Sequence, residues 1–83
     1  MNYNHDKEKL FELLSSRICQ IKFEKINGEI REMSCTLLEN IIPNSSFQVA
    51  FDNYRQNVYD IEKNEWRSFR WDSLKEFDGI SMK

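Results

Sequence analysis

The chain has 83 residues, which fits one small domain over residues 1–83 with a thin hydrophobic core. Its 12 basic and 14 acidic side chains leave a net charge of −2, which excludes a general polyanion binder and requires any nucleic-acid contact to use a local patch. No apolar run approaches bilayer-spanning length and the polar start MNYNHDKEKL has no signal-peptide core, so a soluble, cytoplasmic protein without membrane contact is expected.

The first element is a helix over residues 6–16. Asn4 or Asp6 can cap it, and Asp6 and Glu8 suit the positive N-terminal end. Leu10, Phe11, Leu13, Leu14 and Ile18 recur at spacings of three and four, an apolar stripe that makes the helix a lid on a sheet or, as the alternative, a dimer contact.

Cys19, Ile21 and Phe23 then alternate with polar residues, as in a half-buried strand. Asn27-Gly28 signals a hairpin. A two-residue loop would pair Ile21 with Ser34 and turn Met33 and Cys35 away from the core. A three-residue loop, Ile26-Asn27-Gly28, with Gly28 in the left-handed region, pairs Lys25 with Glu29, Ile21 with Met33 and Cys19 with Cys35. The bulged hairpin is therefore expected. It sets the two cysteines opposite each other; in a reducing compartment they are expected to be small buried thiols rather than a disulfide.

Residues 36–47 break the alternation and form an irregular link that still carries Leu37, Leu38, Ile41 and Ile42, with a turn at residues 43–46. FQVAF (47–51) reads as a strand or a packed loop, VYDIE (58–62) as a strand, and Lys63-Asn64 as a turn. EWRSFRW (65–71) is the next strand, broken at Asp72-Ser73, LKEF (74–77) a short closing strand, and residues 78–83 a frayed tail. One helix followed by about five short strands implies a small closed barrel over residues 18–77.

Catalytic chemistry finds little support. His5 is the single histidine and has no nucleophile near it in sequence; Cys19 and Cys35 lie among apolar neighbours; two glycines make no phosphate loop, and no metal-ligand spacing occurs. No catalytic residue, metal or cofactor is expected, and the protein is read as a non-enzyme. Binding remains. Along EWRSFRW, Arg67, Phe69 and Trp71 share one face and Trp66, Ser68 and Arg70 the other. Phe69 and Trp71 are expected in the core, Arg67 at the barrel mouth, and Trp66 and Arg70 outside, where a tryptophan beside an arginine can stack a base or grip a protein. The alternative is that Trp66 packs over the hairpin turn or under the helix while Arg70 pairs with Asp60. Tyr54, Arg55 and Tyr59 are candidate additions to the patch.

The stretch VYDIEKNEWRSFRWDSLKEF resembles the end of WYL-type domains, in which a strand, a turn and an Arg-x-Phe-Arg-x-Asp strand close a barrel. With the upstream FEKINGEIREMSCTLLENIIP, the chain resembles small phage proteins of the same type over residues 21–77. The Trp-Tyr-Leu triplet that names the group is replaced by NVYDIE, and residues 1–17 have no room for a helix-turn-helix. The resemblance implies a mainly β fold, a five-stranded SH3-like (Sm-like) barrel preceded by an N-terminal amphipathic α-helix. Its implied function is a phage-type accessory protein that binds RNA or single-stranded DNA through Trp66, Arg67, Arg70, Tyr54, Arg55 and Tyr59. The alternative is an inhibitor or modulator that binds a host defence or regulatory enzyme. A third reading is a small nucleotide at the barrel mouth. Assembly of copies through sheet edges or the helix is a further expectation.

Overall fold

The computed structural model describes residues 3–43 and 49–81, with side chains from residue 7 onward. His5 and the cap candidates Asn4 and Asp6 therefore have side chains outside the described set. Helix α1 (Tyr3–Ser16) begins three residues before the expected start. Its stripe packs as expected at Leu10, Phe11, Leu13 and the fully buried Leu14, but Ile18 lies beyond the helix and is exposed. The helix stops where the chain turns into β1 (Cys19–Glu24). Its end is held by β2 (Ile30–Thr36). The buried Thr36 hydroxyl lies 3.1 Å from the Leu14 carbonyl and 2.9 Å from that of Arg17, and the Leu37 N–H donates to the Leu14 oxygen at 2.8 Å. Carbonyls that a helix end leaves unpaired are thus satisfied by the next strand.

The β1–β2 hairpin has the bulged register. Cys19 pairs with Cys35 and Ile21 with Met33; the Lys25 N–H donates to Glu29 at 2.7 Å, and Gly28 sits at φ +92°. Asn27 Oδ1 accepts the Glu29 N–H and fixes the loop. One face then carries Cys19, Ile21, Phe23, Met33 and Cys35 into the core. Both cysteines are buried free thiols.

The link after β2 is irregular, as expected, and turns at Leu38, whose carbonyl accepts the N–H groups of Ile41 and Ile42. Most of the expected turn at 43–46, and Phe47 and Gln48, lie outside the described residues. Val49 to Phe51 are a packed loop rather than a strand; Phe51 stacks edge-on to Phe11 and against Trp71. Strand β3 (Arg55–Asp60) starts three residues before the expected Val58. Two side chains explain the longer strand. Asp52 Oδ1 accepts the N–H groups of Tyr54 and Arg55, and the buried Gln56 amide bonds the backbone of Ala50, Asp52 and Asn57. A polar run that reads as loop is a strand because the preceding loop satisfies its one buried polar side chain.

Asp60 closes the next turn by accepting the N–H groups of Glu62 and Lys63, and Asn64 supplies a left-handed residue at φ +56°. Strand β4 (Glu65–Arg70) follows, then a single 3₁₀ turn at Trp71–Ser73. Phe69 and Trp71 are buried as expected, and the indole N–H of Trp71 donates to the Asp52 carbonyl at 2.7 Å. β5 (Leu74–Phe77) pairs with β1. The expected frayed tail is in part ordered: Asp78 and Gly79, both at positive φ, turn the chain into β6 (Ile80–Ser81), which pairs with β5.

The strands form one antiparallel sheet in the order β4-β3-β2-β1-β5-β6. It has six strands rather than five, and it is open rather than a closed barrel: among the described residues β4 and β6 are its two edges. The physical reason lies in the β2–β3 ladder. Cys35–Asp60 and Thr36–Tyr59 are paired there and the Ile61 N–H donates to the Ser34 carbonyl at 3.0 Å, a short ladder beyond which the β3–β4 ribbon parts from the hairpin end of β2. The 3₁₀ turn then carries the chain across the core to β1 instead of back to β4. Between the β1–β2 hairpin and the free edge of β4 a gap is left, floored by Phe23 and Phe69 with ring centroids 6.0 Å apart.

Candidate functional site

That gap is a groove of about 620 Å³. Phe23, Phe69 and Trp66 give it apolar surface, and the hairpin tip at Glu24 to Asn27 forms one wall. Its charges are lopsided: Lys25, Arg31, Arg55, Arg67 and Arg70 line it, against the single carboxylate of Glu24.

Strand alternation explains each position. Arg31 lies two residues before Met33 on the core face and pairs with Phe23, but at the open end of the hairpin, so its cation reaches the groove instead of the core. Arg67 sits on the face of Phe69 and is half-buried. Its guanidinium lies 3.4 Å from the buried Asp60 carboxylate through Nε and 2.9 Å from Glu65 through Nη2. The Nε contact is ionic only, since that atom is buried without a hydrogen bond. Arg67 thus stands beside carboxylates, as the sequence suggests, at the side of an open groove and not at the mouth of a closed barrel.

Arg55 and Arg70 stand directly opposite each other at the far end of the β3–β4 ladder. Like charges facing across strands repel. Arg70 is relieved by Asp72, whose two carboxylate oxygens it meets at 3.2 Å each. Arg70 does not pair with Asp60. Asp60 lies on the core face at the other end of β3, opposite Glu65, and the register gives it to Arg67. Among the described residues neither Arg31 nor Arg55 has a carboxylate at ion-pair distance.

Trp66 packs against the edge of the core cluster and lines the groove together with the hairpin-turn residues Ile26 and Asn27. It pairs with Tyr59 across the strands, ring centroids 5.4 Å apart and edge-to-face, and is half-buried. Tyr59 supports Trp66 from outside the groove, and Tyr54 is 79% exposed and does not line it. Of the six residues singled out from the sequence, Trp66, Arg55, Arg67 and Arg70 converge on the groove; Tyr54 and Tyr59 do not. Arg31, Lys25 and Phe23 were missed. The register held the signal for Arg31, because a cation on the core face opposite Phe23 needs an opening in the structure.

The β4 backbone also takes part. The Trp71 N–H donates to the Tyr54 carbonyl, so Glu65, Arg67 and Phe69 turn their main-chain groups toward β3, and Trp66, Ser68 and Arg70 turn theirs outward. Ser68 and Arg70 line the groove, which therefore runs along the free edge of β4. The Arg70 carbonyl accepts the Ser73 hydroxyl; among the described residues nothing bonds the outward N–H and C=O of Ser68.

Titration follows these contacts. The N–H groups of Tyr54 and Arg55 hold the Asp52 carboxyl below the usual carboxylate range, and Arg70 does the same for Asp72. Burial pushes the Cys19 thiol up to about 11 and Cys35 further still, so both stay protonated and are poor nucleophiles at neutral pH. Among the described residues no three metal-ligating side chains converge.

An N-terminal helix on an antiparallel sheet of short strands defines a small, mainly β protein. A family model, WYL_2, described as having an Sm-like SH3 beta-barrel fold, matches residues 7–75, and the chain belongs to that family. The WYL-type resemblance in the sequence is thus the right one. No curated protein and no solved structure matches the chain.

Proposed function

We propose that the protein is a non-enzymatic accessory module that binds single-stranded nucleic acid in the groove between the hairpin and β4. One observation carries this reading: five cationic side chains and one carboxylate line the groove of a chain whose net charge is −2. An acidic protein that gathers its arginines in one concavity focuses positive potential there. Phe23, Phe69 and Trp66 add apolar surface for unstacked bases, which a duplex does not offer. The phage-type setting rests on the sequence resemblance alone.

Labelled single-stranded RNA and DNA, titrated at two salt concentrations, test the reading. Binding that weakens with salt, and that Arg55→Ala and Arg70→Ala weaken further, supports it. Absence of binding at low salt contradicts it. A protein-binding modulator of a host enzyme is the second reading, favoured by the unpaired edge of β4, which offers a strand-shaped template. A single protein captured from host lysate after nuclease treatment, and displaced by no oligonucleotide, supports that reading against the first.

A further inference from the structure

We infer that the groove selects RNA over DNA, and that the free edge of β4 is what reads the difference. This rests on the nucleic-acid reading above and adds a chemical requirement to it.

The arginines attract either polymer equally, since both carry the same phosphates. The edge of β4 does not treat them equally. Ser68 turns its N–H and C=O into the groove, and nothing among the described residues bonds them. The N–H can donate to a phosphate oxygen of either polymer. The carbonyl oxygen is an acceptor and needs a donor. A DNA sugar-phosphate backbone has only acceptors, so drawn against β4 by Arg55, Arg67 and Arg70 it would face the Ser68 carbonyl lone pair to lone pair and strip it of water. RNA carries one donor per backbone unit, the ribose 2′-hydroxyl. A hydroxyl is both donor and acceptor, so it can satisfy the Ser68 carbonyl and N–H.

Leaving a desolvated carbonyl unmet costs more than making an ordinary hydrogen bond gains. A preference of about tenfold for RNA follows from one such group.

The test uses uracil oligomers of about twelve nucleotides, near the upper range of a single small-barrel site and free of internal pairing. Four are compared against the full-length protein: ribose, 2′-deoxyribose, 2′-O-methyl and 2′-fluoro. The same base throughout removes any contribution from base donors. The 2′-fluoro oligomer keeps an RNA-like sugar but lacks the donor. The expected order is ribose first, with the other three weaker by about tenfold. Arg55→Ala weakens ribose and deoxyribose oligomers by a similar factor, leaving their ratio intact. Equal binding of all four, or a 2′-fluoro oligomer that binds like ribose, overturns the RNA inference and leaves the groove reading standing. Failure of all four to bind at low salt overturns both.

Discussion

Arg55 is the residue on which the site depends most simply. It faces Arg70 across the ribbon; Asp72 pairs with Arg70, whereas no carboxylate among the described residues lies at ion-pair distance from Arg55, whose charge is left for a phosphate under the proposed function. Arg55→Ala is expected to lower affinity for single-stranded RNA and to reduce the salt slope by about one unit, as loss of one phosphate contact does. Arg70→Ala has a smaller effect, because Asp72 already shares its charge. Thermal melting of Arg55→Ala should match or exceed that of the parent, which separates a binding role from a structural one. Asp52 gives a prediction in pH. Its carboxyl titrates below the ordinary value of 3.8 in the folded protein, so the stability it contributes is present above that value and lost as pH falls through the depressed one. Asp52→Asn keeps an acceptor for the Tyr54 and Arg55 N–H groups but does not titrate. Denaturant midpoints below about pH 4 should then fall less steeply with acid than in the parent. A third test concerns Cys19 and Cys35. Both are buried with raised thiols, so an alkylating agent at pH 8 should leave them unmodified in the folded protein and label both once denaturant is added. Rapid labelling of the native protein would contradict the packing described.

The elements show where the sequence is readable. The hairpin was legible to the residue, because side chains alternate with a period of two and only one loop length keeps Ile21, Met33, Cys19 and Cys35 on one face. Gly28 is the local cost of that register. Gly28→Ala meets no atom within 4 Å, yet it forces a side chain to φ +92° and should cost about 1 kcal/mol, read from thermal or denaturant unfolding. The helix was legible from its stripe, but its attachment was not. Thr36 opens the stretch expected as an irregular link, yet it is the last residue of β2, and only the fold shows its hydroxyl between two helix-end carbonyls. Thr36→Val preserves shape and removes those bonds, so it should destabilise by about 1–3 kcal/mol. β3 begins three residues before its periodic signal, because Arg55-Gln56-Asn57 has the composition of a loop. The buried Gln56 finds its partners in Ala50 and Asp52, a non-periodic loop whose position cannot be inferred from alternation. The strand at Ile80–Ser81 is hidden in the sequence for a similar reason. A two-residue strand after a turn with Asp78 and Gly79 at positive φ has no periodicity to detect.

At the scale of the molecule, fold family and site were legible to different depths. The order of short strands points to a small barrel, the resemblance of VYDIEKNEWRSFRWDSLKEF and FEKINGEIREMSCTLLENIIP to WYL-type domains points to the family, and the match over residues 7–75 agrees with it. Closure did not follow. Whether a sheet meets itself depends on how far β2 and β3 stay paired, and their short ladder leaves the ribbon apart from the hairpin. The groove exists because of that divergence, so no reading of one strand could have found it. Four of the six residues chosen from the sequence nevertheless line it: Trp66, Arg67 and Arg70 because the groove runs along the edge of β4, and Arg55 because it stands opposite Arg70 at the end of β3. What the sequence concealed was the partner wall: Lys25 and Arg31 sit more than twenty positions away, in a hairpin whose average charge is unremarkable. Net charge alone is silent about such a patch: five cations line the groove of an acidic chain, three of them paired with carboxylates beside it, Lys25 with Glu29, Arg67 with Asp60 and Glu65, and Arg70 with Asp72. We propose that this excess of cations binds single-stranded nucleic acid. That binding is tested most directly by measuring the affinity of the intact protein for a labelled single-stranded RNA at low and moderate salt, with Arg31→Ala/Arg55→Ala alongside. Salt-sensitive binding that the double substitution reduces by tenfold or more, about 1.4 kcal/mol, is the predicted result. Undetectable binding at low salt, or affinity unchanged in the double variant, would contradict it.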